Sequence, residues 1–314
     1  MLAPNARTVL DAMAASGLPA IETLSPEMAR RQVLLSSPQL QGAKETVAEV
    51  RDLTAPSPAG DIPLRLYRGL GCPDTRAPCL VYFHGGGWVV GNIDTHDNIC
   101  RWIANFAEGI VISVDYRLAP EHPFPAAIED AAAAWRHVAA EAESWGIDPA
   151  QMAAAGDSAG GNIAAVLSLM ARNGDVPPVA YQILFYPVTD VSFRQDSYSR
   201  YAEGYWLTTA AMRWFGAQYL GPNGDGTDWR VSPLHAPSVA GLAPAFILTA
   251  GFDPLHDEAR DYAARLRDAG VPVLLDENPG QMHGFLSLDG FIADARASIS
   301  RAILAWRAAT VTGG

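Results

Sequence analysis

Ser158 stands in the run Gly156-Asp157-Ser158-Ala159-Gly160, a G-x-S-x-G pattern. A serine hydroxyl is a poor nucleophile until a base takes its proton and donors await the charge on the attacked oxygen. The pattern carries weight when a strand leads in and a helix leads out, because the sharp turn then lifts the hydroxyl above a sheet. Here an apolar run at 151–155 precedes it and a helical pattern at 159–172 follows. Such a turn needs small neighbours, and Gly156, Gly160 and Gly161 supply them. The positive end of the new helix favours a developing oxyanion, with the Ala159 N–H as one donor. A serine that merely caps a helix in a glycine-rich turn is the alternative, and only partner residues argue against it.

Where G-x-S-x-G forms such a strand–turn–helix elbow, the partners of the serine follow it in the order acid, then histidine. After the apolar run AFILTAG comes Asp253, and after VPVLLDENP comes His283 in a loop. Both positions fall at strand ends, on the same rim as Ser158. The histidine would take the serine's proton and pass it on, and the aspartate would hold the imidazole's tautomer and stabilise its charged form. Asp257 and Glu258 are the alternative acids, but they fall inside the next helix. His137 lies in a helical pattern, His122 in a proline-rich segment and His256 at a helix start, while His96 and His235 follow no suitable strand. These five read as surface or structural histidines.

A third element follows the run CLVYF, namely His84-Gly85-Gly86-Gly87-Trp88. Glycines let a main chain approach a substrate and present its N–H groups to an oxyanion. The run lacks the lysine and the spacing of a P-loop, and it is not G-x-G-x-x-G. His84 reads as structural, tying the loop down by hydrogen bonds.

These residues need a scaffold that brings strand ends to one edge. Strand-like runs occur at about 46–53, 62–68, 79–83, 110–114, 151–155, 181–185, 245–250 and 271–276. Alanine-rich helical patterns lie between them, at 126–143, 159–172, 256–268 and 290–309. That alternation predicts an α/β fold, a mostly parallel sheet flanked by helices, with its chemistry on loops at the carboxyl ends of the strands. Two stretches break the alternation. Residues 1–45 read as short helices interrupted by Pro19, Pro26 and Pro38, and 188–230 is a long, aromatic-rich insertion. Both are candidates for a cap over the strand ends, with peripheral decoration as the alternative. The catalytic domain would then comprise 46–187 and 231–314. Tyr205, Trp206, Trp214 and Phe215 are expected mostly to pack that cap, and Tyr186 is a candidate for the pocket wall.

The bulk properties narrow the partners. Of 314 residues, 49% are hydrophobic and 18% charged, enough for a large buried core. A net charge of −12 repels phosphate backbones and anionic membrane surfaces, which argues against nucleic acid. Cys72, Cys79 and Cys100 form neither a disulfide framework nor a zinc pattern, and read as free thiols in a reducing compartment. The first residues lack the basic and apolar regions of a signal peptide, and no run is long enough to cross a bilayer. The expectation is a cytoplasmic enzyme without membrane insertion.

Taken together, FHGGGW (83–88), VDYRLAPEHPFPAA (114–127), GDSAGGN (156–162), DPLHDEA (253–259) and HGF (283–285) resemble the hormone-sensitive lipase family, the family IV bacterial esterases. The resemblance spans nearly the whole chain. It implies the α/β-hydrolase fold, with an eight-stranded sheet and a helical cap made from the N-terminus and 188–230. It also implies hydrolysis of small-molecule esters with short acyl chains, with neither metal nor cofactor. Gly86, Gly87 and Ala159 would be the oxyanion donors, with Gly85 shaping the loop. Asp157 before the serine matches one of the family's two main subgroups, and homodimers are common among such proteins. The 114–127 motif is expected to shape the turn beneath the site. His256 and Ala259 depart from the DPLRDEG form often found in relatives. The rival readings are a small-molecule-binding protein on the same scaffold, as in plant gibberellin receptors that have lost the histidine, and an amidase, lactonase or lipase using the same three residues.

Overall fold

Runs of β-branched and aromatic residues that are apolar on both sides must be covered on both sides, and the strands show it. In β3 (Ala77–Phe83), β4 (Ile110–Val114) and β6 (Tyr181–Phe185) every residue is buried. The computed structural model describes residues 1–222 and 224–311. These form an eight-stranded sheet that adds β1 (Glu49–Ala55), β2 (Ile62–Arg68), β5 (Ile147–Asp157), β7 (Ala245–Phe252) and β8 (Val273–Met282). The order is β1-β2-β4-β3-β5-β6-β7-β8. From β4 across to β8 neighbours run parallel, while β2 is antiparallel to both β1 and β4.

Alternate residues of the central strands face opposite cores. Cys79, Val81 and Phe83 of β3 join the core that holds α4 (Ala126–Ala140), α5 (Ala159–Asn173) and α8 (His256–Asp268). Leu80 and Tyr82 join the other, with α1 (Pro4–Ser16), α3 (Asp97–Ala107) and α9 (Asp294–Val311). The sheet is therefore covered on both faces, as the alternation predicts.

Several boundaries differ from expectation. The first strand begins three residues later than predicted, and β8 runs on to Met282, so it delivers His283 directly. The helix α3 lies outside the predicted set, although Ile99, Trp102 and Ile103 give it an apolar stripe. Pro38 does not break a helix: it sits in the last turns of α2 (Pro26–Leu40). Its missing N–H would have served the carbonyl of Leu34, which is exposed, so the loss is tolerated.

The N-terminal helices reach across the rim. The Ala3 N–H donates to Gly280 O near the end of β8, and Ala6 and Val9 are buried. On α2, Arg30 donates to the carbonyls of Val89 and Ala119 and pairs with Glu121. The segment 188–230 carries α6 (Asp196–Arg200) and α7 (Thr209–Leu220). Thr208, which caps α7, also donates to Glu22 at 3.3 Å, so the two irregular stretches meet.

Candidate active site

The register of the sheet brings the predicted residues to one edge. Phe83 pairs with Gly156, Asp157 with Phe185, and Phe252 with Met282. The next residue on each of these strands is His84, Ser158, Tyr186, Asp253 or His283.

Ser158 occupies a turn that few side chains can adopt, at φ 56° and ψ −117°. Its N–H donates to Phe185 O, and its carbonyl accepts from Asn162 and Val188, so the surroundings hold the unfavourable backbone in place. The small neighbours are obligatory. A Cβ on Gly156 would lie 2.4 Å from Phe83 O, and one on Gly160 would lie 1.9 Å from the same oxygen.

The relay is assembled across large sequence separations. His283 Nε2 lies 3.0 Å from Ser158 Oγ, and His283 Nδ1 lies 2.7 Å from Asp253 Oδ2. Because a carboxylate only accepts, Nδ1 carries the ring proton and Nε2 presents its lone pair to the serine hydroxyl. The other oxygen of Asp253 accepts the Leu255 N–H at 2.8 Å, and the side chain is fully buried. The Tyr186 ring lies 4.7 Å from the His283 ring and limits its rotation. The alternative acids are engaged elsewhere: Asp257 holds Ser197 and Arg200, and Glu258 holds the amides of Thr189 and Asp190 and the Tyr198 hydroxyl.

The glycine loop faces the same centre. Among the described residues, the amides of Gly86, Gly87 and Ala159 have no acceptor. The Gly85 N–H is already taken at 2.8 Å by the Asp157 carboxylate. Gly86 (φ 114°) and Gly87 (φ 59°) adopt backbone conformations that favour glycine. The Phe215 ring from α7 packs where a Gly87 side chain would lie, and Trp206 lies beside Gly284.

His84 does hold the loop: its Nδ1–H donates to Gly85 O at 2.8 Å. Burial, reinforced by the charge of His96, pulls its pKa down to about 3, so the ring is neutral. The 114–127 motif underlies this loop as expected. Tyr116 stacks on His84 and donates to its carbonyl at 2.7 Å, and Arg117 grips Asp130 through both its Nε and its Nη2. His96, read as a surface or structural histidine, is buried with Nε2 3.4 Å from Asp157. The only sequence signal was a histidine within a polar run, too weak to separate it from a surface residue. Among the described residues, no group of three or more histidine, cysteine or acidic side chains is placed to hold a metal ion.

A hydroxyl, an imidazole and a buried carboxylate in line, beside free amides at a helix N-terminus, can attack a carbonyl and stabilise the resulting oxyanion. Comparison with known proteins agrees with that chemistry. Residues 80–287 match a family described by its α/β hydrolase fold. The chain is 47% identical over 268 residues to the carboxylic ester hydrolase LipN of Mycobacterium tuberculosis, covering 83% of this chain and 70% of that protein. It is 40% identical over 278 residues to the ethyl acetate hydrolase of Pseudomonas putida, covering 88% and 87%. The crystal structure of an α/β hydrolase enzyme from the metagenome of Lake Arreo, Spain, superposes with a TM-score of 0.95 at 45% identity, covering 98% of each chain.

Proposed function

This chain belongs to the α/β-hydrolase fold family and hydrolyses carboxylic esters, and on that premise we propose that Ser158, His283 and Asp253 perform the reaction through an acyl-enzyme. Ser158 Oγ attacks the ester carbonyl while His283 Nε2 takes its proton. The oxyanion is received by the amides of Gly86, Gly87 and Ala159. His283 returns the proton to the departing alkoxide, then takes a proton from a water that attacks the acyl-serine, and gives that proton back to Ser158 Oγ as the acid departs. Asp253 stabilises the imidazolium in both steps. The observation that carries this reading is the relay itself, 2.7 Å and 3.0 Å long, between side chains separated by 30 and 125 residues.

The substrate we assign is a small ester with a short acyl chain. Ser158 is only 7% exposed, and Phe215 beside Gly87, Trp206 beside Gly284 and Tyr186 on His283 crowd the centre. Residues 1–45 and 188–230 act as the cap, a reading supported by the Thr208–Glu22 contact. A reducing, cytoplasmic setting is supported by the free thiols of Cys72, Cys79 and Cys100. Among the described residues no helix is long and apolar enough to cross a membrane. The resemblance also leads us to assign a homodimer, which sedimentation would test.

A series of p-nitrophenyl esters from acetate to palmitate tests the reading, with Ser158→Ala as the control. We expect kcat/KM to peak at short chains, to fall steeply for long ones, and to vanish in Ser158→Ala. A maximum at palmitate removes the short-chain assignment, and full activity in Ser158→Ala removes the site.

A further inference from the structure

Asp157, one residue before Ser158, ties the nucleophile's turn to the glycine loop. Its Oδ1 accepts hydrogen bonds from the Tyr82 hydroxyl at 2.8 Å and from the Gly85 N–H at 2.8 Å. The same oxygen faces His96 Nε2 at 3.4 Å. The two side chains are among the buried polar groups, at 4% exposure for Asp157 and 7% for His96. Burial raises the Asp157 carboxyl, but the charge and hydrogen bond of His96, with Tyr82 and the Gly85 amide, outweigh it and hold the group below its usual range.

The protons on His96 can be assigned by counting. Thr95 Oγ1 lies 2.9 Å from His96 Nδ1, 2.8 Å from Asn92 O and 2.9 Å from the Asn92 N–H that donates to it. A hydroxyl has one proton to give. When that proton goes to Asn92 O, His96 Nδ1 must itself donate to the hydroxyl. A neutral ring would then turn a bare lone pair toward the Asp157 carboxylate, so the ring carries both protons. When the hydroxyl proton goes instead to Nδ1, the ring's single proton sits on Nε2. Both arrangements place a proton on Nε2, the atom 3.4 Å from the Asp157 carboxylate.

The other end of this link reaches the N-terminal segment. The Thr95 carbonyl accepts from Gln41 Nε2 at 2.7 Å and from Ser37 Oγ at 3.3 Å, beside and on α2. The carboxylate in turn leaves no slack in the loop: a Cβ on Gly85 would lie 2.3 Å from Asp157 Oδ2. A rotation of that carboxylate therefore shifts Gly85 or releases its amide, and Gly86 and Gly87 follow directly.

We propose that His96 is a positioning residue for ester hydrolysis, its Nε2–H facing the Asp157 carboxylate at 3.4 Å so that the Gly86 and Gly87 amides are held where the oxyanion forms. It touches no reacting atom. The inference rests on the proposed reading of Ser158 and of those amides.

His96→Phe keeps a ring and removes the donor, and His96→Gln keeps a neutral N–H of similar reach. With p-nitrophenyl butyrate, kcat in His96→Phe is expected to fall roughly 10–100-fold while KM stays within about twofold, because misplaced donors act on the transition state and not on bound substrate. Affinity for a trifluoromethyl ketone, whose tetrahedral adduct places its oxyanion on the same amides, is expected to fall by the same factor as kcat/KM. His96→Gln is expected to recover most of the lost kcat. Tyr82→Phe, which removes another donor to the same oxygen, is expected to show the same kcat-selective loss at smaller size, and it carries the test with His96→Gln should His96→Phe not fold. Unchanged kcat in His96→Phe, a loss confined to KM, unaltered ketone affinity, or no advantage of Gln over Phe each overturns the inference. Where His96→Phe does not fold, wild-type kcat in Tyr82→Phe does so. Ser158→Ala, assayed alongside, separates the two levels: retained activity there refutes the site, whereas its loss beside a fully active His96→Phe refutes only the role of His96.

Discussion

Phe252 and Met282 pair across β7 and β8, and the residue after each is one of the two that must meet, Asp253 and His283. The pairing follows an irregularity between Ala250 and Phe252 that resets the register just before the loop. Because successive strand residues alternate faces, a slip of one position in either strand would turn the residue that strand delivers away from its partner. The sheet therefore brings Asp253 and His283 out side by side, one residue beyond the paired strand ends, where they meet at 2.7 Å.

Asp253→Asn tests the consequence for the relay. The Asn oxygen can still accept the Leu255 N–H, so the fold is kept. Its amide would face the Nδ1 of His283 as a donor and favour the tautomer whose Nε2 carries the proton. We expect kcat for p-nitrophenyl butyrate to fall by on the order of 10⁴, the size seen for this change in serine proteases, with an unchanged circular dichroism spectrum. A loss below about tenfold would remove Asp253 from the role of orienting acid.

The sequence makes some of this legible and hides the rest, for physical reasons. Ser158, the Gly85–Gly87 run and the carboxyl ends of the strands are local patterns, readable because turns and apolar runs obey short-range rules. Asp253 and His283 are readable through chain order. The start of α3 is obscured by polar residues, Asp97 and Asn98, which are buried here by contacts with distant segments: Tyr67 on Asp97, and Asp289 on Asn98. Pro38 misleads because its cost depends on whether water reaches the orphaned carbonyl. His96 is invisible because its partner Asp157 lies 61 positions away and no periodicity links them.

Gly160→Ala tests how tightly the nucleophile's turn is packed. The added Cβ would lie 1.9 Å from the Phe83 carbonyl and 2.7 Å from that of His84, both backbone atoms that cannot swing aside. We expect a loss of roughly 1–3 kcal/mol in urea unfolding, as for other overpacked sites. The glycine loop follows His84, so its displacement should also lower kcat by about 10²-fold. Wild-type stability and turnover together would show that the turn has room to spare.

The neutral, buried His84 predicts an acid limb of stability. Its ordinary value of 6.5 is depressed to about 3 by burial first and by the charge of His96 second. Between those values the unfolded chain binds a proton that the folded one does not, so stability is full above 6.5 and is lost as pH falls toward 3. This group alone contributes a slope approaching 1.4 kcal/mol per pH unit. His84→Asn keeps a donor for Gly85 O and removes the titration. Urea midpoints measured across the window should fall less steeply in the variant, and parallel curves would contradict the assignment.

Glu258 predicts the opposite slope. Burial pushes its carboxyl well above the ordinary value, against the opposing pull of the Thr189 amide and the Tyr198 hydroxyl. Here the folded chain holds the proton longer, so the stability it contributes is full below about 4.5, the ordinary value, and declines as pH rises. Gln reproduces the protonated acid: its oxygen accepts from Thr189 and Asp190, and its amide donates to the Tyr198 oxygen. Glu258→Gln should therefore match or exceed wild-type stability under alkaline conditions and flatten that part of the profile. Glu258→Ala leaves two buried amides and a hydroxyl without partners and opens a cavity, at a cost of about 3 kcal/mol or more. Thermal unfolding of the two variants beside wild type decides it: a Gln variant as unstable as Ala would mean that the charge at 258, and not the hydrogen-bonded shape, holds the 188–230 segment to α8.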